Sequence, residues 1–150
     1  MISTKGRYAL QVMLDMAEHG SGEWHRLSDV ARRQQLSKKY LESIMAALIR
    51  ANLLESALGK SGGYRLNRPP EDYPVGEILR AAERSLSPLI CQSEGGSGCG
   101  VSCDCGARLF WQGLEDQINA YIDGHTLAQF MQINKKTPAV SAARNENKVV

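Results

Sequence analysis

Leu36-Ser37-Lys38-Lys39-Tyr40-Leu41-Glu42-Ser43-Ile44-Met45 opens the stretch that decides the fold, which runs on through Arg50 and Leu53-Leu54-Glu55-Ser56-Ala57-Leu58 to Gly59-Lys60-Ser61-Gly62-Gly63-Tyr64-Arg65-Leu66. Ser37 suits a helix N-cap, because its hydroxyl can accept from a free amide of the first turn. Leu41, Ile44, Met45 and Leu48 fall at i, i+3, i+4 and i+7, one apolar helical stripe. Lys39, Glu42, Ser43, Ala46 and Arg50 take the other face. The apolar run after the helix, a glycine-rich turn with Lys60, and Tyr64-Arg65-Leu66 read as a two-stranded hairpin. Gly62 and Gly63 are expected to supply its positive φ angles. A helix followed by a basic hairpin is the layout of a winged helix-turn-helix, with the helix in a DNA major groove and the wing on the flanking backbone.

Working outward, Arg26 to Gln35 supplies the first helix of the pair, with Ser28 as its expected cap and Val30 and Ala31 facing inward. Two helices alone would be weak evidence, since ligand-free helical hairpins are common. The glycines and Lys60 of the wing favour DNA. Further upstream, Ser3 and Thr4 precede a helix over Lys5 to His19, with Leu10, Met13, Leu14 and Ala17 as its inner stripe and Gly20-Ser21-Gly22 as its end. Its methionines read as core filler. Trp24 is expected to pack on the connection between the first two helices, and His19 and His25 read as surface or loop residues.

Downstream of the wing, Asn67 to Pro74 is a turn-rich connector, and Pro74 suits the first position of a helix. That helix covers Val75 to about Arg84, with Val75, Ile78, Leu79 and Ala82 on one face. Gly106 to Ile122 reads as a long helix striped by Phe110, Leu114, Ile118 and Tyr121, with Trp111 and Ile122 widening the stripe. So broad an apolar face asks for a cover: the same helix of a second subunit in a two-fold dimer, or the winged domain of its own chain. Thr126 to Met131 makes one further turn, and residues 134–150 read as a mobile polar tail. The expected organisation is therefore a winged helix-turn-helix over 1–84, a cysteine-rich loop over 85–105, a dimerisation helix with a short terminal helix over 106–132, and a tail over 133–150. The fold class is mainly α with a small β wing.

The charge is asymmetric. Residues 1–70 hold 11 Lys and Arg against 6 Asp and Glu, an excess of +5; residues 71–150 hold 7 against 10, an excess of −3. The basic excess falls on the half proposed to meet phosphate. No secretory signal and no apolar run of membrane-spanning length is visible, so the expected location is the cytoplasm, with no membrane partner.

All four cysteines, Cys91, Cys99, Cys103 and Cys105, lie in one glycine- and serine-rich stretch. Cytoplasmic thiols stay reduced, and free cysteines prefer burial, so four in a polar loop point to metal or redox chemistry rather than accident. Thiolates prefer iron–sulfur clusters, zinc or copper(I). A structural zinc site and a metal-free thiol switch remain open beside a cluster. A thiol oxidoreductase using Cys103 and Cys105 is disfavoured, because no Cys-x-x-Cys is present. No phosphate loop, hydrolase elbow or paired-carboxylate site is visible, and no enzyme activity is expected.

The chain resembles the bacterial winged-helix repressors of the IscR, NsrR and CymR type. Ile2-Ser3-Thr4-Lys5-Gly6-Arg7-Tyr8-Ala9-Leu10, Leu36-Ser37-Lys38-Lys39-Tyr40-Leu41-Glu42, Gly62-Gly63-Tyr64-Arg65-Leu66 and Val75-Gly76-Glu77-Ile78-Leu79 carry the resemblance, which covers about residues 1–132. It implies a homodimer, joined through the long helix, that binds a palindromic operator in double-stranded DNA. It also implies a [2Fe–2S] or [4Fe–4S] cluster on three cysteines, for which Cys91, Cys99 and Cys105 match best, with Cys103 as an extra candidate. Three departures stand out. Arg108 occupies the position of the histidine that IscR-like members add, Arg7 that of the acidic residue NsrR-like members use, and Leu58 that of an arginine some relatives send into the minor groove. CymR-like members lack the cysteine triad. The residues expected to meet DNA are Ser37, Lys38, Lys39, Glu42 and Ser43 on the helix and Lys60 and Arg65 on the wing; a winged helix used only for protein contact is the rival reading.

Overall fold

The computed structural model describes residues 2–59, 61–83, 85–88 and 106–136. Lys60 and all four cysteines lie outside them. The elements run α1 (Thr4–Glu18), α2 (Leu27–Gln34), α3 (Lys38–Arg50), β1 (Leu54–Ala57), β2 (Gly63–Leu66), α4 (Val75–Ala82), α5 (Arg108–Asp123) and α6 (Leu127–Lys136). The architecture is mainly helical with one small antiparallel wing, as the patterning predicts.

The core gathers Ala9, Val12, Met13 and Met16 of α1 with Val30, Leu41, Ile44, Met45 and Leu48. The α3 stripe is buried residue for residue as expected. On α1 the stripe is wider than expected. Ala9, Val12 and Met16 are fully buried, and Leu10 is only partly so, because it turns toward a second cluster with Val75, Leu79 and Ile122. Helix α1 begins at Thr4, where Ser3 Oγ accepts from the Lys5 amide at 3.0 Å. A distant carboxylate completes that cap. Glu83, just past α4, accepts from the Ser3 amide at 2.7 Å and the Gly6 amide at 3.0 Å. Free amides and dipole at a helix start favour such an anion.

Several local expectations shift. Helix α2 is capped at Arg26 rather than Ser28, with no side-chain cap bond. The Asp29 and Val30 amides donate to the Arg26 carbonyl, which places Ser28 inside the first turn. Helix α4 starts after Pro74, which serves as N-cap instead of first residue, and ends at Ala82. Its apolar face, Val75, Ile78, Leu79 and Ala82, is buried as read. Helix α5 starts at Arg108, two residues later than expected, and α6 runs ten residues to Lys136, well past the single turn expected. Leu127, fully buried in the main core, is what anchors α6.

The wing pairs Leu54 with Leu66, Glu55 with Arg65, Ser56 with Tyr64 and Ala57 with Gly63. His25 adds a third, one-residue rung. Its amide donates to the Tyr64 carbonyl at 2.8 Å, and the Tyr64 amide donates back at 2.9 Å. His25 is therefore buried and structural, not a loop residue, and its ring meets the Gly20 carbonyl at 2.9 Å. Gly63 permits this rung: its φ is +155°, and a Cβ there would collide with the His25 carbonyl. Gly62 is not in the positive-φ region.

Tyr73 locks both ends of the wing. It is fully buried, and its hydroxyl lies 2.9 Å from the Leu53 carbonyl and 2.7 Å from Asn67 Oδ1, either of which can take its proton. The same oxygen accepts from the Asn67 and Arg68 amides, each at 3.0 Å. Tyr73→Phe should lower unfolding free energy by about 1–3 kcal/mol, since it strands buried backbone groups. Urea unfolding of the full chain checks this, with Tyr73→Leu expected to cost more through lost packing as well.

Candidate nucleic-acid interface and cysteine segment

Two helices must hold each other rigidly if α3 is to present a fixed face. The Asp15 carboxylate does this between α1 and α2. It is buried, and it receives Arg33 Nε at 2.9 Å to both oxygens, Arg33 Nη2 at 2.6 Å and Gln34 Nε2 at 3.0 Å. Those hydrogen bonds raise the Arg33 pKa above its ordinary value, against burial. A forked guanidinium–carboxylate pair fixes orientation as well as distance. The sequence reading missed Asp15; the signal was an acidic residue set among the buried Met13, Leu14, Met16 and Ala17.

On α3, Ser37 caps the helix as expected, accepting from the Tyr40 amide at 3.3 Å. Lys38, Lys39, Glu42 and Ser43 are all exposed, and so is Ala46 one turn on. Ser43 Oγ donates to the Tyr40 carbonyl at 2.7 Å, an intrahelical bond that leaves its oxygen able to accept. The start of α3 thus presents two lysines, a carboxylate and two hydroxyls on one polar, solvent-facing turn, opposite the buried stripe.

On the wing, Arg65 has partners within its own chain. Its Nε donates to Glu55 Oε2 at 2.9 Å, its Nη2 lies 2.8 Å from the same oxygen, and its guanidinium stacks 4.5 Å from the centroid of Trp24. Glu55 faces Arg65 across the hairpin in register, which is why the pair forms. Trp24 consequently lies against the wing rather than on the helix connection.

Helix α5 divides the stripe that the sequence assigned to it. Ile118 and Ile122 turn onto Val75 and Leu79 of the same chain, so part of the face covers its own winged domain. Phe110, Leu114 and Tyr121 are exposed, and Leu109 with them. The joint between α4 and α5 is closed by Arg80, whose Nη1 and Nη2 donate to the two Asp123 oxygens at 2.7 and 2.8 Å, with Nη2 also 2.9 Å from Asn119 Oδ1. Gly76 makes room, because a Cβ there would strike the Asp123 carboxylate. Arg108, the first residue of α5, is exposed.

The expected ligands Cys91, Cys99 and Cys105, with Cys103, lie outside the described residues, as does Lys60. Among the described residues no group of three His, Cys, Asp or Glu is placed to hold a metal, and no helix is long and apolar enough to cross a membrane.

A polar, solvent-facing turn at the start of α3, a hairpin wing and a cysteine segment leading into a long helix define a transcriptional regulator of the winged-helix class. A profile of the Rrf2 family, described as iron-dependent transcriptional regulators, matches residues 2–133. The transcriptional regulator IscR of Aliivibrio salmonicida is 33% identical over 96% of this chain and 84% of its own. Among solved structures, CymR, the global cysteine regulator of B. subtilis, superposes with a TM-score of 0.72 at 31% identity, covering 89% of this chain and 97% of its own. IscR of T. potens superposes with a TM-score of 0.71 at 34% identity, covering 91% and 90%. The chain belongs to the Rrf2 family of transcriptional regulators, and these relatives are regulators, not enzymes.

The Asp123 carboxylate is held below its ordinary value of 3.8, chiefly by its hydrogen bonds from Arg80, with burial opposing. A lowered folded pKa adds stability that is complete above 3.8 and is lost as pH falls through the folded value. Both side chains are 45% exposed, so the effect is modest. Asp123→Asn should flatten the acid limb of a stability profile; thermal melts from about pH 6 down to about pH 3 check this sign. A limb as steep as the parent's would remove the pair from that role.

Proposed function

We propose that this chain acts as a homodimeric repressor that reads a palindromic operator through α3 and is controlled by an iron–sulfur cluster on Cys91, Cys99 and Cys105. The observation that carries the DNA reading is the exposed turn of Ser37, Lys38, Lys39, Glu42 and Ser43 on a helix whose opposite stripe is buried. Lys38 and Lys39 meet phosphate and base edges, Glu42 and Ser43 select bases, and Lys60 and Arg65 contact backbone from the wing. The second copy covers Leu109, Phe110, Leu114 and Tyr121 of α5, apolar surface left open by one chain. Two recognition helices then address two half-sites.

The donor set fits an iron–sulfur centre by its chemistry. Three thiolates within a short stretch suit iron and sulfide, and the family description is iron-dependent. A bound cluster would supply a redox-sensitive core. Cys105 stands three residues before Arg108, the start of α5. Arg108 has no lone pair to give, so the fourth ligand falls to Cys103, Asp104 or the partner subunit. Occupancy controls transcription only by favouring one of two DNA-binding states.

Lys38→Ala and Lys39→Ala should each weaken binding nearly uniformly across sequences and lower the salt slope by about 1, whereas Glu42→Ala should change base preference. Titration of duplexes from the promoter of its own operon, at two stated salt concentrations, measures this. Salt-insensitive binding, or none, would sink the DNA reading and favour a protein-contact role.

Protein expressed anaerobically with iron should be brown and contain iron and sulfide, and Cys91→Ser, Cys99→Ser and Cys105→Ser should each bleach it. Colourless protein with stoichiometric zinc would replace the cluster with a structural site, and reversible disulfides without metal would replace it with a thiol switch.

A further inference from the structure

The polar surface at the start of α3 continues onto α1. Tyr40, in the first turn of α3, donates its amide to Ser37 Oγ at 3.3 Å and accepts at its carbonyl from Ser43 Oγ at 2.7 Å. Its backbone is thus tied to two of the residues proposed to face DNA. Its ring meets the ring of Tyr8 on α1 edge to face, with centroids 5.9 Å apart. Tyr8 in turn carries the guanidinium of Arg7, whose Cζ lies 4.6 Å from the ring centroid. Arg7 is exposed, and both tyrosines are half-buried. Arg33, Arg65, Arg68 and Arg80 are each paired with a carboxylate. Among the described residues Arg7 has no acidic partner, so it is stacked without being neutralised. The amides at the start of α1 are already taken by Glu83, so an anion drawn here answers to the arginine and not to the helix terminus.

We propose that Arg7 is a phosphate-binding residue that carries the α3 contact onto the DNA backbone at the edge of the groove, with Tyr8 as the residue that positions it. This rests on the DNA reading above. Stacking uses the face of a guanidinium and leaves its N–H edge open, and that edge is what binds phosphate in a forked pair. A side chain already resting on a ring also loses less freedom when it binds than a lysine standing in solvent. Helix α1 packs on α3, and the Tyr8–Tyr40 contact joins the two at the first turn of α3, where Lys39 is the neighbour of Tyr40. Docking that turn therefore brings the Arg7 edge to the same duplex. The basic excess of residues 1–70 suits a polyanion, and a contact of this kind fixes orientation on the duplex without reading sequence.

The test uses the full-length chain and duplexes selected by it from a random library, titrated at two salt concentrations. Arg7→Ala should weaken binding about tenfold, the loss of one charge-assisted hydrogen bond, and lower the salt slope by about 1. Base preference should stay as it is. Arg7→Lys keeps the charge but stacks less well, so the slope should hold while affinity falls about threefold. A scan of the duplex with uncharged methylphosphonate linkages identifies the partner: neutralising one phosphate should cost the parent chain about as much as Arg7→Ala does, and should cost Arg7→Ala nothing further. Arg7 is exposed in the free protein, so neither variant should unfold it, and thermal melts check that. Unchanged affinity and slope in Arg7→Ala overturn the proposal even if Lys38→Ala loses binding, which leaves the DNA reading standing. Weaker binding by Arg7→Ala with the parent's methylphosphonate profile, or with a matching loss of self-association in sedimentation, also overturns it. A parent chain that binds no duplex overturns the DNA reading and this proposal together.

Discussion

One buried hydroxyl holds the regulator's parts in register. Tyr73 takes the Leu53 carbonyl at the entry to the wing and the Asn67 and Arg68 amides at its exit, while its own carbonyl accepts the Leu127 amide at the start of α6 at 2.9 Å. The two ends of the wing and the start of α6 therefore converge on one residue. A buried hydroxyl is stabilising only when its partners are in place, so the position of any of these elements constrains the rest. Arg68 closes the arrangement from above, its guanidinium 4.5 Å from the Tyr73 ring centroid and its Nη2 3.0 Å from Glu77 Oε2.

This rigidity joins two exposed surfaces that differ in character. The start of α3 is polar and charged, while the outer face of α5 is apolar. Between them stands α4, which buries Ile78 in the main core and Val75 and Leu79 against Ile122 of α5. The Arg80–Asp123 fork sets the angle of that second junction, as bidentate pairs do. Burial and charge thus divide the labour: apolar contact holds α5 near the winged domain, and the fork fixes how it is turned.

Elements built by local periodicity were legible in the chain. Leu41, Ile44, Met45 and Leu48 had to share a face, and the glycines between two short apolar runs had to turn. Roles created by distant partners were not. His25 looks like a loop histidine until β2 pairs with it. Asp15 is read correctly only once Arg33 is seen across the helix pair. The pairing of Arg65 with Glu55 was not legible either, because a cross-strand neighbour depends on register, which a one-residue slip would change. The α5 stripe was visible, but its division between the home domain and the open face depends on where α4 lies. The exposure of the α3 residues proposed to face DNA was legible, because they are what remains when the buried stripe is removed.

The chain just upstream of the segment that bears the cysteines is tied to the described fold. On its upstream side Glu83 is bound to the amides of Ser3 and Gly6, and Ser87 Oγ donates to Glu115 Oε2 at 3.2 Å on α5. On its downstream side Gly106 and Ala107 lead straight into the first turn of α5. Displacing Glu83 would uncap α1, which packs on both α2 and α3; displacing Arg108 would turn the helix whose outer face is apolar. Under the proposed reading, a change among Cys91, Cys99 and Cys105 has two mechanical routes to the DNA surface, one through the start of α1 and one through α5. Because packed helices shift between discrete arrangements rather than deforming smoothly, a small rearrangement at either end would, under that reading, change how the two proposed DNA-reading helices fit their half-sites.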